Sequence, residues 1–334
     1  MTGWRRKLQQ LASWCREAFR GSGGLKVIVA KELADHFSST RMSILFSLVA
    51  AACLSALYVG ALTIRETVGE QDTAYVFLRL FTTGGSSLPS FISFMSFLGP
   101  LLGLALGFDA INGEYHRRTL GRLLSQPIYR DDVINGKFLA GIIVLATMIV
   151  ALGLLVAGLG LVMIGVPPRG EELARMLLYL LVTLVYVSFW LSASLFFSLL
   201  FRQTATSALA GVATWLFFAI FEPMLAGIVA DGLFPAPEDA PAVQQLRNAV
   251  VRQNLSRLSP TVLYDEATVT LLNPGVRTLG PVMVQQLSGA IPGFLPLGQS
   301  LLLIWPHVVG LLAMTMLIFA LAYYFFMHQE IRTS

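Results

Sequence analysis

Side chains that commonly carry out chemistry are few in this sequence and lie far apart. There is no GxxxxGK[ST] phosphate loop, because the nearest string, NGKF at 135–138, lacks both the first glycine and the hydroxyl residue. HExxH and GxSxG motifs are also absent, and the four histidines are scattered. Two cysteines, Cys15 and Cys53, are too few and too isolated for a disulfide framework or a thiolate metal site. We therefore expect no catalytic, metal-binding or cofactor-binding residue in this chain.

The segment 108–137 combines charged and leucine side chains in a way that suits docking on another protein. It carries Glu114 and several arginines beside a leucine run, stops at Pro127, and enters a long apolar run after Lys137. A plain basic loop beside a membrane would explain the arginines but not the leucine face. We predict a short docking helix here. Its expected contact residues are Glu114, Arg117, Arg118, Thr119, Leu120, Arg122 and Leu123.

An amphipathic pattern comes directly before the first long apolar run. Within Leu25–Phe37, apolar residues recur at helical spacing on one side, while Lys26, Lys31, Glu32 and Asp35 fall on the other. A helix of this kind that turns directly into a span lies in the membrane interface like an elbow. The residues that define this predicted elbow helix are Leu25, Ile28, Lys31, Glu32 and Phe37.

The composition is that of a membrane protein. The 334 residues are 55% hydrophobic and only 13% charged, with a mean hydropathy of +0.71, whereas soluble domains carry about twice that charge. Crossing roughly 30 Å of hydrocarbon takes about 20 helical residues. The apolar runs are continuous rather than alternating, which favours helices over barrel strands. We predict an all-α fold with six spans at Met42–Ile64, Leu88–Ile111, Phe138–Gly165, Leu173–Leu200, Ala205–Ile228 and Leu301–Met327.

The basic residues predict how the spans are oriented. Eight of the 23 lysines and arginines precede the first span, and five more lie in the loop between spans two and three. Both regions fall on the same side of the membrane in the predicted topology, together with Arg202 and Arg332. The positive-inside rule therefore places both ends of the chain in the cytoplasm. This placement accounts for the net charge of +4 without a nucleic-acid partner.

The long segment 231–300 is predicted to form a helical domain on the opposite side of the membrane. Its periodicity indicates helices at Pro241–Leu258 and Pro260–Leu272, the second opened by a proline after Ser259. Residues 281–297 are apolar but broken by glycine and proline, which predicts a re-entrant or interfacial element. The chain then divides into amphipathic N-terminal and elbow helices at 1–41, spans one to five at 42–230 with a coupling loop at 112–137, the outer domain at 231–300, and span six with its tail at 301–334.

Three glycines in span two, Gly99, Gly103 and Gly107, recur every four residues and make one smooth helix face. Pro100 beside them permits a kink. Two interpretations stay open for this face. It packs closely against another helix, in the same subunit or in a second one, or it lines a substrate path.

The segment 108–137 resembles the signature between spans two and three of permease subunits of ABC transporters, in the export-type ABC type 2 class. The matching elements are Gly113-Glu114, Thr119-Leu120, Leu123-Leu124, Pro127, Arg130 and Gly136-Lys137. Where the family often has Gly-Thr, this chain has Arg118-Thr119. The predicted elbow helix, six spans, inside termini and long outer segment extend the resemblance over most of the chain. The subgroup it resembles is the nitrous-oxide-reductase maturation permeases, from which the enlarged outer domain departs.

This resemblance implies a division of labour between subunits. Two permease chains, expected as a homodimer, would pair with two copies of a separate ATPase subunit that binds ATP and Mg. The chain itself would hold no cofactor and would not be an enzyme. The docking segment and the elbow helix would transmit ATPase closure to the spans and so drive export across a prokaryotic cytoplasmic (inner) membrane. A further partner protein at the outer surface is compatible with the sequence, and no substrate is indicated.

Two other classes of function stay open from the sequence. An intramembrane transferase-type enzyme would need carboxylates or histidines that converge at one membrane face. The one acidic pair near a loop, Asp131-Asp132, suits the start of a helix better. A non-transporting scaffold would instead use the outer domain to bind a partner. Stimulation of an ATPase by the purified chain would separate the permease from both.

Overall fold

Helices make up nearly all of the chain that can be described. The computed structural model describes residues 23–67, 75–84, 88–117, 128–165, 167–237, 240–281 and 293–329, and within these ranges there is no strand. The helices are α1 (Gly24–Ser38), α2 (Thr40–Thr67), α3 (Val76–Thr82), α4 (Phe91–Gly107), α5 (Asn112–His116), α6 (Arg130–Ile164), α7 (Gly170–Leu200), α8 (Thr204–Leu216), a π-helix (Phe217–Phe221), α9 (Glu222–Leu233), α10 (Ala242–Ser256), α11 (Pro260–Leu272) and α12 (Leu297–His328). The predicted all-α fold is confirmed.

In the described ranges, six helical stretches are long and apolar enough to cross a membrane, as predicted. They are Thr40–Ile64, Phe91–His116, Arg130–Ile164, Gly170–Leu200, Thr204–Leu233 and Leu297–His328. The third begins well before its apolar run because Asp131 and Asp132 fall in its first turn, where the helix dipole favours negative charge. It ends at Gly165, whose φ of +77° gives the left-handed cap that glycine adopts without strain.

The fourth span, α7, is the centre of the bundle. Its apolar stretch is 67% buried, against 11% and 17% for those of the fifth and sixth spans. Helices α4, α6, α8, α11 and α12 all pack against it. The apolar faces of the fifth and sixth spans are therefore left for lipid or for another protein.

The bundle has two distinguishable ends. At one end, which we call the α1 end, α1 packs on α6, and Arg130 of α6 donates to the Met327 and Gln329 carbonyls at the end of α12. The other end, which we call the opposite end, holds the start of α7 and the start of α12. There Arg175 is fully buried and donates to the Leu271 carbonyl (2.9 Å), so it joins α7 to α11.

The helix α11 has the predicted bounds, yet it packs among the spans instead of standing in a domain outside them. Tyr264 of α11 is fully buried and stacks on Tyr186, half-way along α7, with ring centroids 4.2 Å apart. Thr261 lies within 3.2 Å of the Tyr186 hydroxyl, whereas Leu271 lies near the start of α7. The helix thus runs from mid-bundle to the opposite end. Ser259 does not cap it by a side-chain hydrogen bond, and donates instead to the Phe218 carbonyl.

The burial of α11 has a physical reason in its own sequence. Tyr264, Ala267 and Leu271 form one fully buried stripe at helical spacing. Its hydroxyls find partners on α7, since Tyr264 lies 3.0 Å from the Thr183 hydroxyl and 3.2 Å from that of Tyr179. Most of the predicted re-entrant element at 281–297 lies outside the described residues. Among the described residues between the fifth and sixth spans, α11 is the helix that packs back into the bundle, whereas α10 packs on α9 and buries no residue.

Candidate functional site

A group of four charged side chains, three of them buried, joins α1, α5 and α6 at the α1 end. The Lys137 ammonium lies 2.8 Å from Glu32 Oε1 and 2.9 Å from Glu114 Oε1. Lys31 reaches the same two oxygens at 2.9 and 3.3 Å. We call these four residues the Lys137 cluster. Because each acidic residue is shared by both lysines, the three helices are held together by charge as well as by packing.

Close backbone approach allows the cluster to form. A Cβ added at Gly136 would lie 2.7 Å from the Ile28 side chain, so a glycine at this position lets α1 settle directly on α6. The next residue, Lys137, then projects beside Glu32, which shares the buried face of α1 with Ile28 and Leu33. The Gly-Lys pair of the sequence thus supplies a contact point and a counter-charge in adjacent positions.

The pKa values of Glu32 and Lys31 follow from this crowding. Burial alone would raise the pKa of Glu32, but the ammonium groups of Lys137 and Lys31 outweigh burial and lower it to about 2. Burial alone would lower the pKa of Lys31, but the carboxylates of Glu32, Glu114 and Asp35 hold it above its ordinary value. Both Glu32 and Lys31 are therefore charged at neutral pH.

A second ion pair closes the same end. The Arg41 guanidinium, at the start of α2, donates to both carboxylate oxygens of Asp109 at 2.9 and 3.2 Å, and it lies 4.8 Å from the centre of the Phe108 ring. Asp109 follows directly on α4. Next to it, the backbone N–H groups of Ile111 and Asn112 donate to the Ser198 hydroxyl of α7 at 3.0 and 3.2 Å. The chain that leads into α5 is thus fixed on both sides.

The structure describes two of the predicted docking residues, Glu114 and Arg117. Glu114 was expected to face a partner, but it is buried at 6% exposure and faces the Lys137 cluster. Arg117 is exposed, and its Nε donates to the Gly113 carbonyl at 3.2 Å. The others, Arg118, Thr119, Leu120, Arg122 and Leu123, lie outside the described residues. The docking role of the exposed and undescribed residues stays a prediction.

The predicted elbow residues form one helix, with two of them on the other face than expected. Ile28 is buried, Leu25 is partly buried and Lys31 is exposed, in agreement with the pattern. Glu32, assigned to the polar face, is buried because Lys137 neutralises it. Phe37, assigned to the apolar face, is 45% exposed.

The three glycines of α4 pack against α7 of the same chain. A Cβ at Gly103 would lie 2.5 Å from the Val187 carbonyl oxygen, and one at Gly107 would lie 2.8 Å from Ser194 Cβ. At Gly99 the nearest atom, in the Val187 side chain, would be 3.3 Å away. The smooth face therefore allows the two helix backbones to approach closely.

Sequence reasoning did not include Lys137, Arg41 or Asp109 among the site residues. The one available signal was the Gly136-Lys137 pair, where a lysine stands at the entrance of a long apolar run. In the described part of the chain, no group of three or more histidine, cysteine, aspartate or glutamate side chains is arranged to hold a metal ion.

Comparison with known proteins supports one family. A profile for ABC-2 family transporter proteins matches residues 26–331, which is most of the chain. The chain belongs to the ABC-2 transporter family. Curated relatives of this ABC-2 protein include the probable ABC transporter permease protein NosY of Pseudomonas aeruginosa, 34% identical over 124 residues. The protein of the same name from Stutzerimonas stutzeri is 34% identical over 87 residues.

These matches cover part of each protein. The first spans 36% of this chain and 41% of its relative, and the second spans 26% and 32%. The described part of this ABC-2 protein has six helices that are long and apolar enough to cross a membrane. It is thus a multi-pass membrane protein of an ABC transporter family. The resemblance to permeases inferred from residues 108–137 is confirmed at the level of the family.

Proposed function

We propose that the chain is the permease subunit of an ATP-driven ABC exporter, and that the Lys137 cluster couples a separate ATPase to its spans. In this proposal two copies of the chain pair with two ATPase subunits, which supply ATP and Mg. The α1 end faces the cytoplasm of a prokaryotic cell, and the apolar faces of the fifth and sixth spans are available for the second copy.

The observation that carries the proposal is the joining of α1, α5 and α6 through shared buried charges. Residues 118–127 lie between α5 and α6 in the sequence, so a force applied to them acts on both neighbouring helices. Lys137 on α6 binds both Glu114 on α5 and Glu32 on α1, and the motion is therefore passed to α1 as well. Rigid transfer of this kind needs no titration or chemistry in the chain.

The test is reconstitution of the purified chain in lipid vesicles with the ATPase encoded beside it. We expect the chain to bind that ATPase and to raise its turnover. Arg118→Glu should abolish the stimulation, because it reverses a charge in the predicted docking segment, while the spans stay folded. Arg247→Glu is the matched control, since it reverses an exposed charge on α10.

The possible results are distinct. Failure of the unmodified chain to bind or stimulate the ATPase would overturn the permease proposal. Full stimulation of the ATPase by the Arg118→Glu variant would show that the predicted docking segment does not contact the ATPase through Arg118. A Glu114→Lys variant is a poor probe of docking, because Glu114 is buried and its replacement disturbs the Lys137 cluster.

A further inference from the structure

A second polar site lies at the other half of the bundle. A cavity of about 590 Å³ is lined mainly by α4, the fifth span and α11. It extends along α4 from Ser90 to Phe97, about 10 Å at 1.5 Å per residue. Cavities that hold drug-sized molecules measure roughly 300–1,000 Å³. The volume therefore suits an organic molecule and is far larger than a bare ion requires.

One carboxylate provides the charge of this cavity. Asp265 is the only charged residue among the described residues that line it. The Ser96 hydroxyl donates to its carboxylate, and no basic side chain of the described residues forms an ion pair with it. Asp265 is partly buried, and a carboxylate withdrawn from water without a cation beside it is costly. Such a group is expected to be retained where it meets a cationic partner.

The neighbouring acid shows the contrast. Glu266 lies on another face of α11 and is neutralised within the chain: Arg257 Nε lies 2.8 Å from its carboxylate, and His307 Nε2 lies 2.6 Å from it. Gln253 donates to the same carboxylate at 2.7 Å. Glu266 thus holds α10, α11 and α12 together, whereas Asp265 is directed to the cavity without a cation.

Aromatic rings form one wall of the cavity. Phe97 of α4 and Trp215 of α8 meet edge to face, with ring centroids 4.7 Å apart. Hydroxyl groups of Ser90, Ser93 and Thr261 also line the cavity. Aromatic faces attract cations and pack against apolar groups. A single carboxylate combined with aromatic rings and hydroxyls is the recognition chemistry of an organic monocation.

We propose that this cavity binds a drug-sized organic cation, the substrate class of the transporter, with Asp265 facing the positive charge and Phe97 and Trp215 contacting the apolar groups. The substrate role rests on the proposed permease function. Binding itself does not, because the cavity is formed within one chain and is remote from the α1 end.

Two ions of the same shape and opposite charge test the proposal. Binding of tetraphenylphosphonium and of tetraphenylborate would be measured on the full chain in lipid nanodiscs without the ATPase. We expect the cation to bind at least tenfold more tightly than the anion. Asp265→Asn should weaken cation binding at least tenfold. It should leave the affinity for the anion unchanged or higher. Asp231→Asn, which removes an exposed acid outside the cavity, should leave both affinities unchanged.

A second variant tests the location without changing charge. Ala219 lines the cavity, so Ala219→Phe should fill it and weaken cation binding at least tenfold. Thermal unfolding of each variant in the same nanodiscs separates loss of binding from loss of fold. Equal cation affinity in folded Asp265→Asn and unmodified protein, absence of cation binding, or equal binding of the two ions would each overturn the proposal.

The outcome is distinguishable from that of the permease test. Stimulation of the ATPase without any binding of tetraphenylphosphonium would support the permease proposal and overturn the proposed cation site. If the chain binds the cation through Asp265 but stimulates no ATPase, the cation site is supported and the permease proposal is overturned.

Discussion

Lys137 is the residue on which the α1 end depends most. Its side chain is 4% exposed and contacts two carboxylates that are themselves buried. The pair of glutamates would repel each other without it, since only the half-exposed Lys31 would remain between them. Replacing one partner of a buried ion pair costs about 3–5 kcal/mol, whereas neutralising all members costs far less.

We therefore predict that Lys137→Met lowers the free energy of unfolding by about 3 kcal/mol or more. Lys26→Met, an exposed change on α1, should have little effect. The triple variant Glu32→Gln, Glu114→Gln and Lys137→Met should be closer to the unmodified chain than Lys137→Met alone. Chemical unfolding in detergent measures all three, and a triple variant less stable than the single one would contradict the charge argument.

Glu32 gives the α1 end a pH dependence of known sign. Its pKa falls on folding from an ordinary value of 4.5 to about 2, so the folded state favours the ionised form. The stabilisation is present above about pH 4.5 and is lost as the pH falls toward 2. We predict that Glu32→Gln flattens the pH dependence of the melting temperature between pH 5 and about pH 3. Asp35→Asn, at an exposed acid on the same helix, should keep the slope of the unmodified chain.

At the scale of helices, α4 and α7 approach each other closely along the three glycines of α4. In lipid, helices associate through close packing, which small residues permit. Gly103 lies at the tightest point of this contact, where an added Cβ would come within 2.5 Å of a carbonyl oxygen. The two helices must then separate or shift to accept any side chain.

We predict that Gly103→Ala destabilises the chain by about 1–3 kcal/mol. Gly158→Ala is the control, because Gly158 is a helical glycine in α6 with no atom within 4 Å of an added Cβ. The control should be neutral or stabilising, since alanine is the better helix former. Thermal unfolding of both variants decides, and equal effects would show that helix propensity rather than packing governs Gly103.

At the scale of the whole molecule, the six spans and the basic residues predict which end faces the cytoplasm. Ser38 is exposed at the α1 end and Ala242 is exposed on the α10 side. In a background with both native cysteines replaced, a membrane-impermeant maleimide should label Ala242→Cys in intact cells. It should label Ser38→Cys only after the cells are permeabilised. The reverse pattern would invert the topology and remove α1 from the cytoplasmic face.

The sequence by itself determined the helical class, the number of spans and the bounds of α11, because each follows from local periodicity and, for α11, from the proline that opens the helix. It also indicated the segment 108–137 through charge and leucine spacing. Only the tertiary structure decided that Glu32 and Glu114 face inward, since their burial depends on Lys137, which is distant in sequence. The same holds for α11, whose tyrosine and threonine hydroxyls look suited to an aqueous domain until Thr183 and Tyr186 of α7 supply their partners. Local pattern fixes which face of a helix is apolar, whereas long-range contacts decide which polar groups are buried beside it.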